Sequence, residues 1–170
     1  MARASHHRRV YVASPLGFAA STRPYIGEVV AALQSHGLDS LDPWDDADGS
    51  VQERLARADA VELPEERVAA LWAVDEAIGR RNMEMIEQAR GVFAVLDGVD
   101  VDSGTAAEIG FAAARGLPVV GLRTDWRRTG DNDGCTVNLQ VEFFIRMNGG
   151  QVFSDLGAAA ARMAELVSGG

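Results

Sequence analysis

Cysteine is nearly missing from this chain: Cys135 stands alone among 170 residues. An intrachain disulfide is therefore excluded, and a zinc site built on cysteines would lack partners. Cys135 reads as a small loop residue, and no metal site is expected. Basic charge is also short, with 16 Lys and Arg against 25 Asp and Glu, a net charge of −9. A phosphate backbone rewards clustered cations, so nucleic acid is not an expected partner. The same deficit says little about a small neutral ligand. No apolar run is long enough to cross a bilayer, so no membrane partner is expected. The first nine residues are basic and include His6 and His7. They hold no apolar stretch of the kind a secretory leader needs, and they read as a disordered tail rather than a metal site. A reducing cytoplasm is the expected location. Internal repeats and low-complexity linkers are absent as well. The remaining residues, 10–168, fit a single domain with one core.

What is present alternates between two periods. Val10-Tyr11-Val12-Ala13 is a short β-rich run, ended by Ser14-Pro15-Leu16-Gly17. Tyr25 to His36 carries Ile26, Val29, Val30 and Leu33 at helical spacing, and Gly37 stands where a C-terminal cap belongs. Leu38 to Gly49 reads as a loop. Pro64 to Arg90 predicts a long helix with a break near Gly79. Val92-Phe93-Ala94-Val95-Leu96 is apolar throughout, the mark of a strand buried on both faces. A helix over Thr105 to Arg115 and a strand over Leu117 to Leu122 follow. Thr124 to Thr136 is polar and reads as mobile. Asn138 to Met147 predicts a helix, Gln151 to Phe153 a short strand, and Asp155 to Val167 a closing helix. Strands separated by helices imply parallel crossovers. The expected fold is a flavodoxin-like or Rossmann-like α/β sandwich, with a central parallel sheet flanked by helices. Ligands of such sheets bind outside the carboxyl ends of the strands, where Ser14 to Phe18, Asp97 to Glu108 and Arg123 onward gather.

The segment from Asp97 to Gly110 leaves a buried strand and enters a helix. Gly104 permits close backbone approach, and Thr105 or Ser103 is placed to cap the helix, whose free amides face a ligand. Glu108 lies one turn in, among Ala106, Ala107, Ile109 and Gly110. Spacing alone leaves two readings of it open. It is a solvated helix residue beside turn-forming glycines, or a partly buried carboxylate with a tuned pKa. The G-x-G-x-x-G order is absent, which argues against a dinucleotide site.

Several pieces together carry a resemblance. Tyr11 precedes Ala13-Ser14-Pro15-Leu16-Gly17-Phe18, and Gly79-Arg80-Arg81-Asn82 with Ile86 precedes the second apolar strand. Asp102-Ser103-Gly104-Thr105-Ala106-Ala107-Glu108-Ile109-Gly110 is followed by Gly116-Leu117-Pro118-Val119-Val120, by Leu122-Arg123-Thr124-Asp125 and by Asn138-Leu139. In this order, from Val10 to Glu142, the chain resembles the nucleoside 2-deoxyribosyltransferase family. The resemblance implies double displacement. Glu108 attacks C1′ of a 2′-deoxynucleoside, the base leaves, and an incoming base displaces the covalent glycosyl ester. Asp102 matches the acid that contacts the base and is expected to do general acid and base work. Tyr11 matches the tyrosine that hydrogen-bonds the nucleophile. Asn82 matches a ligand-contacting position that is Asp in some members. Asn138 matches a residue that reaches into a neighbour's site and binds the 5′-hydroxyl, which implies a homo-oligomer. The family's Asp two places further on is Gln140 here. Ser14, Phe18 and Gly104 are expected to border the substrate, with core packing the other reading of Phe18 and of Trp44. No cofactor is implied. The partners are purine or pyrimidine 2′-deoxynucleosides and free bases.

Two other readings compete. One is an N-glycosidase that hydrolyses nucleoside 5′-monophosphates, for which Arg80, Arg81 and Arg123 are phosphate candidates. The other is a non-catalytic nucleotide-binding module on the same fold.

Overall fold

The computed structural model describes residues 8–46 and 49–169. Its strands are β1 (Arg9–Ala13), β2 (Asp39–Leu41), β3 (Gly91–Val95), β4 (Val119–Leu122) and β5 (Val152–Phe153). They form one sheet in the order β2-β1-β3-β4-β5, and every pairing is parallel. The helices are α1 (Arg23–Ser35), α2 (Ser50–Asp59), α3 (Pro64–Gln88), α4 (Ser103–Ala114), α5 (Leu139–Met147) and α6 (Leu156–Ser168). This is the flavodoxin-like arrangement of the α/β class, as expected.

Strand alternation divides the core in two. Val10, Val12, Phe93, Val95, Val120 and Leu122 meet α1 and α6 on one face. Tyr11, Ala13, Val92, Ala94 and Val119 meet α3, α4 and α5 on the other. Every residue of β3 is buried, which accounts for its unbroken apolar run. The strand order reverses between β1 and β3, and the loops leaving these two strands part to opposite sides of the sheet. A crevice opens there by topology alone.

Four local expectations need correction. The strand β1 begins at Arg9, inside the stretch read as a tail; Met1 to His7 lie outside the described residues. Asp39–Leu41, read as loop, forms β2, because parallel pairing with Arg9–Tyr11 fixes a polar tripeptide that no apolar pattern marks. The helix α2 was not anticipated. It packs mainly on α3, and Ala58 is its one buried residue. Finally, α3 runs unbroken through Gly79. A single glycine costs a helix interior roughly 1 kcal/mol, too little to interrupt 25 helical residues.

The polar stretch after β4 is not free either. The Asp97 carboxylate accepts from the Thr124 N–H at 2.6 Å, the Thr124 hydroxyl at 2.7 Å and the Asp125 N–H at 2.7 Å. At the far end, Glu142 accepts from the Thr136 N–H at 2.5 Å. Buried Arg123 places its guanidinium on the carbonyl oxygens of Leu96, Gly98 and Arg127.

Gly79 is exposed, and a Cβ added there meets nothing within 4 Å. Gly79→Ala is therefore expected to stabilise the protein by about 0.5–1 kcal/mol. Urea unfolding followed by circular dichroism checks this, and an unchanged or lower midpoint contradicts it.

Candidate active site

The site is assembled by two successive secondary-structure rules. Tyr11 lies in the middle of β1 and is fully buried, so its ring is fixed by the sheet. Beyond β3 the chain turns into α4, and Asp102 caps that helix. Its Oδ2 accepts from the Thr105 N–H at 2.9 Å and from the Thr105 hydroxyl at 3.3 Å. The cap is thus Asp102, where sequence reasoning placed it on Ser103 or Thr105. Aspartate is among the strongest N-cap residues, and only a residue just outside the helix can reach the free amide at its third position. A Cβ at Gly104 would stand 3.2 Å from the capping oxygen, so glycine keeps that oxygen accessible.

The cap sets the phase of α4, and phase directs Glu108 back toward the sheet. Its Oε1 accepts from the Tyr11 hydroxyl at 2.6 Å and from the Asn82 amide of α3 at 3.4 Å. Both bonds reach the same oxygen. Among the described residues Oε2 has no hydrogen-bond partner. Burial lifts the Glu108 carboxyl above its ordinary range. The Tyr11 hydrogen bond opposes the lift, the charge of Asp102 adds to it, and the Asn82 hydrogen bond again opposes it. Burial, then the charge of Glu108, raises the Tyr11 phenol far above its usual value, so it remains a neutral donor.

These groups border a cavity of about 960 Å³ at the crevice between β1 and β3. One wall comes from Ser14, Gly17 and Phe18 after β1, and another from Asp42, Pro43 and Trp44 after β2. The Trp44 indole N–H donates to the Ser14 carbonyl at 2.7 Å, and its ring meets Phe18 edge-on with centroids 4.5 Å apart. A Cβ on Gly17 would fall 1.9 Å from the Trp44 ring, so this contact requires glycine. Ile26 and Val30 of α1, Val51 and Leu55 of α2, and Ile78 of α3 make the apolar remainder. Five carboxyls line the cavity (Asp42, Asp46, Asp75, Asp102 and Glu108) against two guanidinium groups, Arg23 and Arg81.

The structure thus brings Glu108, Asp102, Asn82, Ser14, Phe18 and Gly104 to one cavity, with Tyr11 directly behind Glu108. It does not bring Asn138 or Gln140 there. Asn138 caps α5, accepting from the Gln140 and Val141 amides at 3.0 and 3.4 Å, and Gln140 is exposed. Of the three arginines considered for phosphate, only Arg81 lines the cavity. Arg80 pairs with Glu76 on the exposed side of α3 at 2.8 Å, and Arg123 is spent on carbonyl groups. Sequence reasoning passed over Asp42, Arg23 and the α2 residues. Asp42 follows a strand too short and polar to be recognised. Arg23 opens α1 two residues before the helical spacing begins. Cys135 is buried elsewhere, with its thiol 3.6 Å from the Asn132 carbonyl. Among the described residues no cluster of His, Cys, Asp and Glu could hold a metal ion, and no helix is long and apolar enough to cross a membrane.

Comparison with known proteins agrees with the fold. A search of curated sequences finds no match. Three solved structures are similar to the chain in fold. One is a conserved protein from Enterococcus faecalis V583, with TM-score 0.69 and 24% identity over 93% of this chain and 98% of that one. Another is a 2-deoxyribosyltransferase from Leishmania mexicana, with TM-score 0.64 and 24% identity over 93% and 97%. The third is the 2-deoxyribosyltransferase of Bacillus psychrosaccharolyticus, with TM-score 0.61 and 20% identity over 89% and 90%. The sequence profile described as nucleoside 2-deoxyribosyltransferase matches residues 10–140, from β1 through the Asp102-to-Glu108 turn to the start of α5. The chain belongs to the nucleoside 2-deoxyribosyltransferase family.

Proposed function

We propose that this protein transfers a 2-deoxyribosyl group between nucleobases through a covalent ester on Glu108. The observation that carries the reading is the half-used carboxylate. Tyr11 and Asn82 hold Oε1, and Oε2 is left without a partner among the described residues, at the edge of a large cavity. A nucleophile needs that arrangement: one oxygen oriented, the other available to bond carbon. Oε2 attacks C1′, the base departs, and a second base attacks the ester from the opposite face. The Tyr11 and Asn82 hydrogen bonds stabilise the carboxylate when it is expelled again. Asp102 keeps Oδ1 for contact with the base. No metal or organic cofactor takes part. Hydrolysis of nucleoside monophosphates is disfavoured by electrostatics, since a dianionic phosphate would enter a cavity with more carboxyls than guanidinium groups.

Asn138 and Gln140 fit this reading only across a subunit boundary. The residues that follow Asn138 on α5 expose Leu139, Phe143 and Met147 at successive turns. A second copy docked on this stripe would bring Asn138 toward a neighbour's cavity, where its amide and that of Gln140 would bind the 5′-hydroxyl of the sugar. We propose the cytoplasm as the location of this exchange between free bases and deoxynucleosides.

Incubation of 2′-deoxyinosine with adenine is expected to give 2′-deoxyadenosine, whereas 2′-deoxyinosine monophosphate in water should be left intact. Exclusive hydrolysis of the monophosphate would reverse the assignment. A 2-fluoro-arabino nucleoside should label a peptide from α4 at Glu108, and Glu108→Ala should lower exchange on the order of 10⁴-fold or more. A label on any other helix contradicts the nucleophile.

The nucleophile works ionised, so the rate falls as pH drops through the Glu108 pKa. That acid limb should lie above the range of an ordinary glutamate. Tyr11→Phe removes a hydrogen bond that lowers the pKa, so the limb should move to still higher pH. A profile of kcat/KM against pH that moves downward would contradict the role given to Tyr11.

Subunit sharing is tested by mixing. Glu108→Gln and Asn138→Ala proteins, each impaired alone, should regain exchange when denatured and refolded together, because one mixed site then holds both native residues. Light scattering should show at least a dimer, and a monomer would remove Asn138 and Gln140 from the site.

A further inference from the structure

A purine or pyrimidine leaves poorly as an anion, so a proton must reach it. Glu108 is spent as the nucleophile. Asp102 commits Oδ2 as the acceptor of two hydrogen bonds from Thr105, and its position is dictated by capping α4. A third carboxyl lines the same cavity. Asp42 is the first residue beyond β2, and its predecessor Leu41 pairs in register with Tyr11. Parallel pairing therefore delivers Asp42 to the carboxyl edge of the sheet, beside the strand that carries Tyr11. It is half-buried. Its Oδ1 accepts from the Trp44 backbone N–H at 2.9 Å, which ties it to the aromatic wall. Among the described residues its Oδ2 has no hydrogen-bond partner and its carboxyl has no ion pair. The guanidinium of Arg81, which could have neutralised it, instead donates to the Asp45 carbonyl at 2.8 Å.

We propose that Asp42, within the transferase reading given above, faces the departing base and supplies its proton, while Asp102 holds the base by its free oxygen. The charged surroundings suit a carboxyl that keeps its proton. Burial raises the Asp42 carboxyl above the ordinary range, the Trp44 N–H pulls it back, the charge of Asp45 adds to the rise and Arg81 opposes it. Tyr11 on β1, Arg23 on α1, Asp75 on α3, Asp102 and Glu108 on α4, and Asp46 on its own loop complete the titratable and charged groups around the cavity. In the first half-reaction the bond from Glu108 Oε2 to C1′ forms as the C1′–N bond breaks. The electron pair goes to the base, which takes the proton of Asp42 and leaves it a carboxylate. In the second half the incoming base bonds C1′ through nitrogen and gives its N–H proton to Asp42. The C1′–O electron pair returns to Glu108, and the proton balance closes.

Asp42→Asn keeps an acceptor for the Trp44 N–H and removes the proton; Asp42→Ser is a smaller second variant with the same acceptor. Two donors are compared in exchange into adenine. The base of 2′-deoxyinosine needs a proton to leave, whereas the cationic base of 7-methyl-2′-deoxyguanosine leaves neutral without one. In a double displacement, kcat/KM for the donor reads the first half-reaction alone. With 2′-deoxyinosine it should fall about 10²–10⁴-fold in either variant, and with the methylated donor it should stay within about threefold of wild type. A variant that unfolds cooperatively near the wild-type temperature yet keeps full activity on 2′-deoxyinosine overturns the assignment. So does one that loses both donors equally. Wild-type protein that exchanges neither donor overturns the transferase reading itself, and this assignment with it.

Discussion

The 2.6 Å hydrogen bond from the Tyr11 hydroxyl to Glu108 Oε1 is the contact on which the site depends. It joins the centre of the sheet to the second turn of a helix 97 residues away in sequence. The donor cannot move, because its ring is fully buried among the side chains of α3, α4 and α5. The acceptor is held as well, because Tyr11 and Asn82 both donate to its Oε1. A charged group held this way keeps one oxygen solvated by the protein and presents the other to a ligand. The arrangement also explains why the carboxyl is tolerated in a partly dry place. Two hydrogen bonds offset part of the desolvation that raises its pKa.

Much of this was legible in the sequence, for reasons that differ from element to element. β3 announced itself because burial on both faces demands five apolar residues in a row. The small residues of α4 marked a closely packed helix, but spacing left Glu108 open between solvent and site, and its role came from the family resemblance. Tyr11 and Asn82 were reachable only through the family resemblance, since nothing local says that a strand tyrosine and a helix amide meet the same oxygen. β2 escaped because a three-residue polar strand owes its existence to its partner, and no periodicity survives at that length. Asp42 escaped with it. Asn138 illustrates the converse. Its pattern as a helix cap is visible in the chain, and its side-chain oxygen is engaged in that duty within one subunit.

The two kinds of carboxylate environment in the molecule clarify one another. Glu142 is as buried as any acid here, yet its carboxyl is held below the ordinary range by the Thr136 amide, Arg146 and the Val137 amide, against the opposing pull of burial. It anchors the long connection before α5 and has nothing left to offer a ligand. Glu108 and Asp42 are raised, and each retains an oxygen without a partner among the described residues. Glu142 is saturated by its partners, as is Asp46 at the cavity rim, which accepts from the Val51 and Gln52 amides, whereas Glu108 and Asp42 each keep one oxygen in reserve.

The wall formed by Phe18 and Trp44 has a consequence for how such a protein can change. Both rings stand on loops that follow strands, and Phe18 is 74% exposed. The reactive carboxylate and its donors stand on β1, α3 and α4 instead. Substitutions in the two loops can therefore reshape the surface that meets a heterocycle without shifting the atoms that bond the sugar. Gly17 limits that freedom, since any larger residue evicts the indole. Preference among bases is free to drift in this architecture while the chemistry of the sugar stays still.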